Sequence, residues 1–192
     1  MTDAKVVLGS LLGRCSVGPK HLEGPAPGDD ALLLMTEAAL RAPDHGQLVP
    51  FRFALIRDES ARQRLADLYG QVALGAGKDT EAVALDRQRA LEPPLLVAVI
   101  ARIDESNPAV PAHEQWMAVG GAVANFLNAA HMLGFAGKML SGAKARAYQV
   151  AAAFCAPGET LVGWMVLGTP RKRMSPKPGK PDAGEVLRPW TA

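Results

Sequence analysis

The segment Leu95-Leu96-Val97-Ala98-Val99-Ile100-Ala101, entered through Pro93-Pro94, constrains the fold of this chain more than any other stretch. It is an apolar run rich in Val and Ile, and it offers no polar face to water. It reads as a strand that must be covered on both sides. Val162 to Leu167 reads as a second buried strand, closed by Gly168-Thr169-Pro170, and Phe51 to Arg57 as a third. The covering layers have to be helical. Apolar spacing at Val6, Val7, Leu11 and Leu12 predicts a helix over 3–13. Asp29 or Asp30 is placed to cap another that runs to about Leu40, and Pro43 ends it. Two helices over 58–74 and 79–91 are separated by Gly75, Gly77 and Asp79, and Pro93-Pro94 stops the second. A long helix over 111–133 contains Gly120-Gly121. Mid-helix glycines cost about 1 kcal/mol each, and close packing against a neighbour is the expected compensation. A further helix spans 145–155, and residues 18–30 read as a Pro- and Gly-rich loop.

Strands and helices do not alternate regularly, which argues against a doubly wound nucleotide fold. The expected class is α+β, a central, mainly antiparallel sheet wrapped by helices. At 192 residues the chain reads as one domain, residues 1–192, with a Pro-rich basic tail from about 170. A net charge of +2 does not favour nucleic acid as a partner. No apolar run reaches the ~20 residues of a membrane helix. The N-terminus lacks the pattern of a signal peptide. Cys15 and Cys155 are too few for a disulfide framework and lack metal-ligand spacing, so a reducing, cytoplasmic setting is expected, with no metal site.

Several familiar patterns fail on inspection. Gly75-Ala76-Gly77-Lys78-Asp79 lacks the first glycine and the metal-binding hydroxyl of a phosphate loop, and reads as a turn between helices. His113-Glu114 has no second histidine one helical turn on. Ser141-Gly142-Ala143-Lys144 has serine–lysine spacing without the companion motifs of that enzyme class. No dinucleotide fingerprint follows a strand, so a nicotinamide donor would bind transiently.

Three elements remain. Arg14 and Ser16, with Cys15 between them, sit where the first helix gives way to a loop. A guanidinium fork and a hydroxyl suit phosphate oxygens, and the same pair reads equally as a surface arginine and a turn serine. Arg41-Ala42-Pro43-Asp44-His45 puts a cation, a rigid turn, a carboxylate and an imidazole at one helix end. The spacing leaves open whether Arg41 serves the helix dipole, with His45 a turn residue, or whether both meet a ligand. Gly137-Lys138-Met139-Leu140-Ser141-Gly142 reads either as a glycine-bounded loop whose amides can approach a flat ring or phosphate, or as a helix-to-helix connection with Met139 and Leu140 in the core. His131 reads as a packed or surface histidine, Trp116, Trp164 and Trp190 as packing residues, and Glu114 and Gln115 as helix-start residues.

In order and spacing these elements resemble the nitroreductase family of flavin enzymes, most closely its short, minimal members. The resemblance runs from Arg14 to Arg173. It implies FMN as cofactor, NADH or NADPH as electron donor, and a small acceptor such as a nitroaromatic or quinone. It implies a homodimer with FMN at the interface. Arg14, Cys15, Ser16 and Arg173 would lie at the phosphate. Arg41 and His45 would reach the cofactor from the partner subunit. Met139, Leu140 and Ser141 would line it, with no obligate protein acid or base. The chain departs from the family's usual residues at Cys15, Val49, Met139 and Leu140. Alternatives within reach of the same residues are a flavin-storing module without turnover, or an enzyme dedicated to one metabolite.

Overall fold

A computed structural model describes residues 4–190. Helix α1 (Ala4–Gly13) opens it; Asp3, the first residue of the predicted helix, lies outside the described residues. The loop predicted over 18–30 carries a 3₁₀ turn at Pro19–His21 and a two-residue strand β1 (Leu22–Glu23). Then follow α2 (Asp29–Ala39), β2 (Phe51–Ile56), α3 (Glu59–Gly75), α4 (Thr80–Leu91), β3 (Leu95–Ala101) and α5 (Ala112–Met132). The chain closes with β4 (Ala136–Leu140), α6 (Tyr148–Phe154), β5 (Thr160–Pro170) and a short exposed α7 (Ala183–Val186).

The class is α+β, and the pairings within the sheet are antiparallel. β5 is its hub. It pairs with β3 along one edge and β4 along the other, and its last residues, Thr169 and Pro170, pair with β1. β2 lies outside β3. Every residue of β3 is buried, as its composition requires. Leu96, Ala98 and Ile100 join Trp164 and Val166 under α3, α4 and α6, where Leu65, Ala66, Tyr69, Ala90 and Val150 complete one core. Leu95, Val97, Val99 and Ala101 join Met165 and Leu167 under α2 and α5, with Met35, Val119, Phe126 and Leu127. Burying each large apolar side chain contributes roughly 1.5–3 kcal/mol, so two cores share one sheet.

Several local expectations need correction. Gly28, not Asp29 or Asp30, is the N-cap of α2. Both aspartates fall in its first turn, and Asp29 accepts from Arg57 at 2.6 Å instead. Gly168-Thr169-Pro170 does not close β5 but belongs to it, because β1 supplies partners there. Gly137 to Leu140 is strand rather than loop, because β5 offers it a full antiparallel ladder. Of the two glycines in α5, Gly121 is the close-packed one: a Cβ there would sit 3.1 Å from that of Ala42, whereas Gly120 faces open space. Trp164 is buried, but Trp116 and Trp190 are exposed.

The α3–α4 turn follows the sequence closely. Asp58 accepts from the Ala61 amide at 2.7 Å and Asp79 from the Ala82 amide at 2.8 Å, so each helix starts on a carboxylate cap. Asp79→Ala is expected to lower stability by about 1 kcal/mol. Urea unfolding of the variant, with an unchanged slope, checks this.

Candidate functional site

Backbone pairing assembles the site. Ser16 forms an isolated parallel bridge with Gly137, and the Val17 amide donates to the Gly137 carbonyl at 3.0 Å. This lays Arg14-Cys15-Ser16 beside the start of β4. The other end of β4 leads into Ser141-Gly142. Gly137 accommodates the close approach of β5 to β4, since a Cβ there would stand 2.5 Å from the Val166 carbonyl oxygen. Gly163 does the same at the far end. Its φ is +149°, and a Cβ would overlap the Leu140 carbonyl and lie 3.0 Å from the Met139 methyl. The register of β3 on β5 shifts at this point, a bulge that re-aims the strand.

A cavity of about 600 Å³ opens beside the end of β4. That volume is within the roughly 300–1,000 Å³ of small-molecule sites. Leu140, Ser141 and Gly142 form one wall, Tyr69 and Trp164 aromatic ones, and Pro19 and Lys20 the rim. The floor holds Asp86, whose side chain is 1% exposed. Its carboxylate receives Lys78 at 2.8 Å, Arg89 at 2.8 Å and Lys144 at 2.5 Å. Burial alone would raise the Asp86 pKa. The hydrogen bonds from Lys144, Lys78 and Arg89 outweigh it and hold the group down to about 2. Burial lowers the Lys144 pKa, against the pull of Asp86, and its ammonium lies 4.6 Å over the Tyr69 ring. Burial pushes the Tyr69 phenol well above its ordinary range.

Sequence reasoning missed Lys78, Asp86, Arg89 and Lys144. One signal was present. Asp86 falls four residues from both Ala82 and Ala90, a carboxylate on the small-residue stripe that α4 turns inward. The serine–lysine pattern at 141–144 resolves as well: Lys144 serves Asp86, and the Ser141 carbonyl accepts from Arg146 at 3.1 Å.

The residues assigned from sequence fall into three groups. Leu140 and Ser141 line the main cavity. Cys15 and Arg173 line a second one of about 520 Å³, beside His131 and Pro170. The segment 14–20 thus runs from one cavity to the other. Met139 is turned away: successive strand residues point to opposite faces, and Met139 packs into the α2–α5 core while Leu140 packs into the other. Arg41 and His45 lie by the N-terminal part of α5 and line neither cavity. His45 Nδ1 is 2.7 Å from Glu114 Oε2, and Ala42 packs on Gly121. Glu114 is therefore a histidine partner. Gln115 is buried, bonded to the Asp104 amide and carbonyl and to the Val110 carbonyl, so it braces the loop before α5 rather than starting the helix. Among the described residues, no carboxylate or carbonyl takes the guanidinium of Arg14, Arg41 or Arg173. None of them groups its acids, histidines and cysteines into a metal-binding set, and no helix is long and apolar enough to cross a membrane.

Comparison with known proteins follows the same geometry. The Nitroreductase family is matched over residues 13–169, from the last residue of α1 to Thr169 in β5. The Escherichia coli (strain K12) protein named "Putative NAD(P)H nitroreductase YdjA" is 36% identical over 163 residues, covering 84% of this chain and 88% of that one. The solved structure of a nitroreductase-like family protein from Bacillus cereus superimposes with a TM-score of 0.80 at 20% identity, over 100% of both chains. A nitroreductase with bound FMN from Desulfitobacterium hafniense DCB-2 gives a TM-score of 0.66 at 18% identity, over 97% and 98% of the two chains. The last two share the fold, and the family match over 13–169 includes the site-forming segments 14–20 and 137–142. The chain belongs to the nitroreductase family.

Proposed function

We propose that this protein is an FMN-dependent NAD(P)H oxidoreductase that reduces a small acceptor such as a nitroaromatic or a quinone, with the cofactor held between two copies of the chain. The Ser16–Gly137 bridge is the observation that carries the reading. It joins a phosphate-type donor set, Arg14 and Ser16, to the strand whose other end walls an aromatic cavity. A ligand that is flat at one end and anionic at the other matches that layout. The residues fit FMN in chemistry: Arg14 and Arg173 have no ionic partner among the described residues, and Ser16 is exposed. The chemistry FMN supplies when bound is hydride acceptance from NADH or NADPH and electron delivery to the acceptor, donor and acceptor using one pocket in turn.

The protein's own residues would then bind and orient. Arg14, Ser16 and Arg173 hold the phosphate. Leu140 and Ser141 flank the ring, and Tyr69 and Trp164 keep water from the cavity. Arg41 and His45 act from the partner subunit, since within one chain they line neither cavity. A dimer has a surface to use. Helix α1 buries none of its residues within the chain, leaving Val6, Val7, Leu8 and Leu12 exposed, and Met117 and Met132 of α5 are exposed as well. Light scattering on the purified protein is expected to give twice the chain mass.

Purified protein is expected to be yellow and to bleach rapidly on anaerobic addition of NADH or NADPH. A coloured protein that does not bleach would be a flavin store, and a colourless one that cannot be reconstituted with FMN would end the proposal. Arg14→Ala is expected to weaken FMN binding by about tenfold or more, the scale of a lost charge-assisted hydrogen bond. Fluorescence titration of the apoprotein with FMN measures it.

A further inference from the structure

The main cavity carries more positive charge than anything lining it can neutralise. Lys20, Lys78, Arg89 and Lys144 face it, against Asp86 and Glu92. Two positive charges remain over. Three of the four are also held in place rather than waving from the surface. Asp86 Oδ1 takes Arg89 and Lys144, and Oδ2 takes Lys78. Each ammonium has three donors and the guanidinium five. Each gives one to Asp86, which leaves donors from three fixed groups for a ligand. Around them the walls are apolar or aromatic: Tyr69, Val72, Leu96, Leu140 and Trp164. Low-dielectric walls strengthen the field of an uncompensated charge. The FMN phosphate is assigned to Arg14, Ser16 and Arg173, and the oxidised ring is uncharged, so a negative charge to match these cations has to come from the second ligand.

We propose that the acceptor favoured by this protein is an anionic aromatic, a nitroarene or quinone bearing a carboxylate or sulfonate, which Lys78, Arg89 and Lys144 hold after Asp86 has gathered them. The inference rests on the oxidoreductase reading above and names its substrate class. In the overall reaction one NAD(P)H and one proton convert a nitro group to a nitroso group and water, or a quinone to its quinol, and NAD(P)+ is released. Asp86 touches the cations and not the acceptor, so it is a positioning residue.

Isothermal titration of the purified holoprotein with benzoate and with benzamide tests the idea. The two are the same size and differ in charge, and neither is reduced. Benzoate is expected to bind about tenfold tighter, and its advantage is expected to shrink between low and high salt, as a charge contact requires. In the double variant Lys78→Met/Arg89→Gln the ratio is expected to fall toward one. The kcat/KM ratio of 4-nitrobenzoate to 4-nitrobenzamide should fall with it. Equal affinities in the natural protein, no measurable benzoate binding, or a preference indifferent to salt would overturn the proposal without any variant. Calorimetry needs neither colour nor turnover. Flavoprotein that bleaches with NAD(P)H but shows no preference sinks this inference alone. Colourless protein that still prefers benzoate keeps the anion site and sinks the flavin reading.

Discussion

Replacing Gly163 by valine is expected to lower stability by about 3 kcal/mol or more and to abolish retention of the proposed FMN. Two costs fall on the same atom. The residue has φ +149°, where any side chain strains the backbone, and a Cβ would overlap the Leu140 carbonyl. Relief requires β4 to separate from β5 at its C-terminal end. Leu140 and Ser141 sit at that end, so the cavity wall moves with it. Thermal unfolding and the flavin-to-protein absorbance ratio read the two effects separately. Gly75→Ala, in the last turn of α3 with open space where its Cβ would go, is the control expected to change little. A Gly163→Val protein as stable as its parent would show that β4 and β5 have room to spare.

Asp86→Asn is the second large effect, and its size depends on pH. Three cations converge on this carboxylate, and removing its charge leaves them repelling one another over an apolar cavity. Losing one member of a buried ion cluster typically costs about 3–5 kcal/mol. Here the cations reach water, and about 2 kcal/mol is expected at neutral pH. The direction with pH follows from linkage. The folded-state pKa lies below the unfolded one, near 2 against an ordinary 3.8. The stabilisation is therefore fully present above pH ~4 and is lost as pH falls toward 2. Parent and variant should differ most at pH 7 and converge near pH 2. Glu159 titrates in the same window. The Arg52 guanidinium, at 2.8 and 2.5 Å, and the Ala156 amide hold it down to about 2, so the variant keeps part of its acid sensitivity. Urea unfolding at several pH values checks both points. A constant difference across that range would mean that charge is not what Asp86 contributes.

The two variants mark where sequence reading stops. In the sequence Asp86 is one acid on a polar helix, and only its spacing from Ala82 and Ala90 sets it apart. Its three partners come from the α3–α4 turn, α4 and the segment after β4. No local pattern joins them. Gly163 carried no signal, because the demand for a glycine comes from the carbonyl of a residue more than twenty positions earlier. β4 was read as a loop for a related reason: Gly137-Lys138-Met139-Leu140 has little strand character of its own, and its ladder is supplied by β5. Met139 was assigned to the cofactor as part of that loop. Once the segment is a strand, neighbouring residues alternate faces, and Met139 goes to the opposite core from Leu140.

What could be read from the linear order was whatever short-range physics controls. The seven apolar residues after Pro93-Pro94 could only be a strand covered on both faces. Gly75, Gly77 and Asp79 marked the break between two helices, and the absence of regular alternation left α+β. The Arg14 and Arg41 segments carried the family likeness because their chemistry is local. Tertiary structure decided everything that depends on distant segments meeting. It set the bridge from Ser16 to Gly137, the convergence of Lys78, Arg89 and Lys144 on Asp86, and the placing of Arg41 and His45 away from the cavity of their own chain. Pairing register and burial are collective properties of a packed sheet, and no window of sequence contains them.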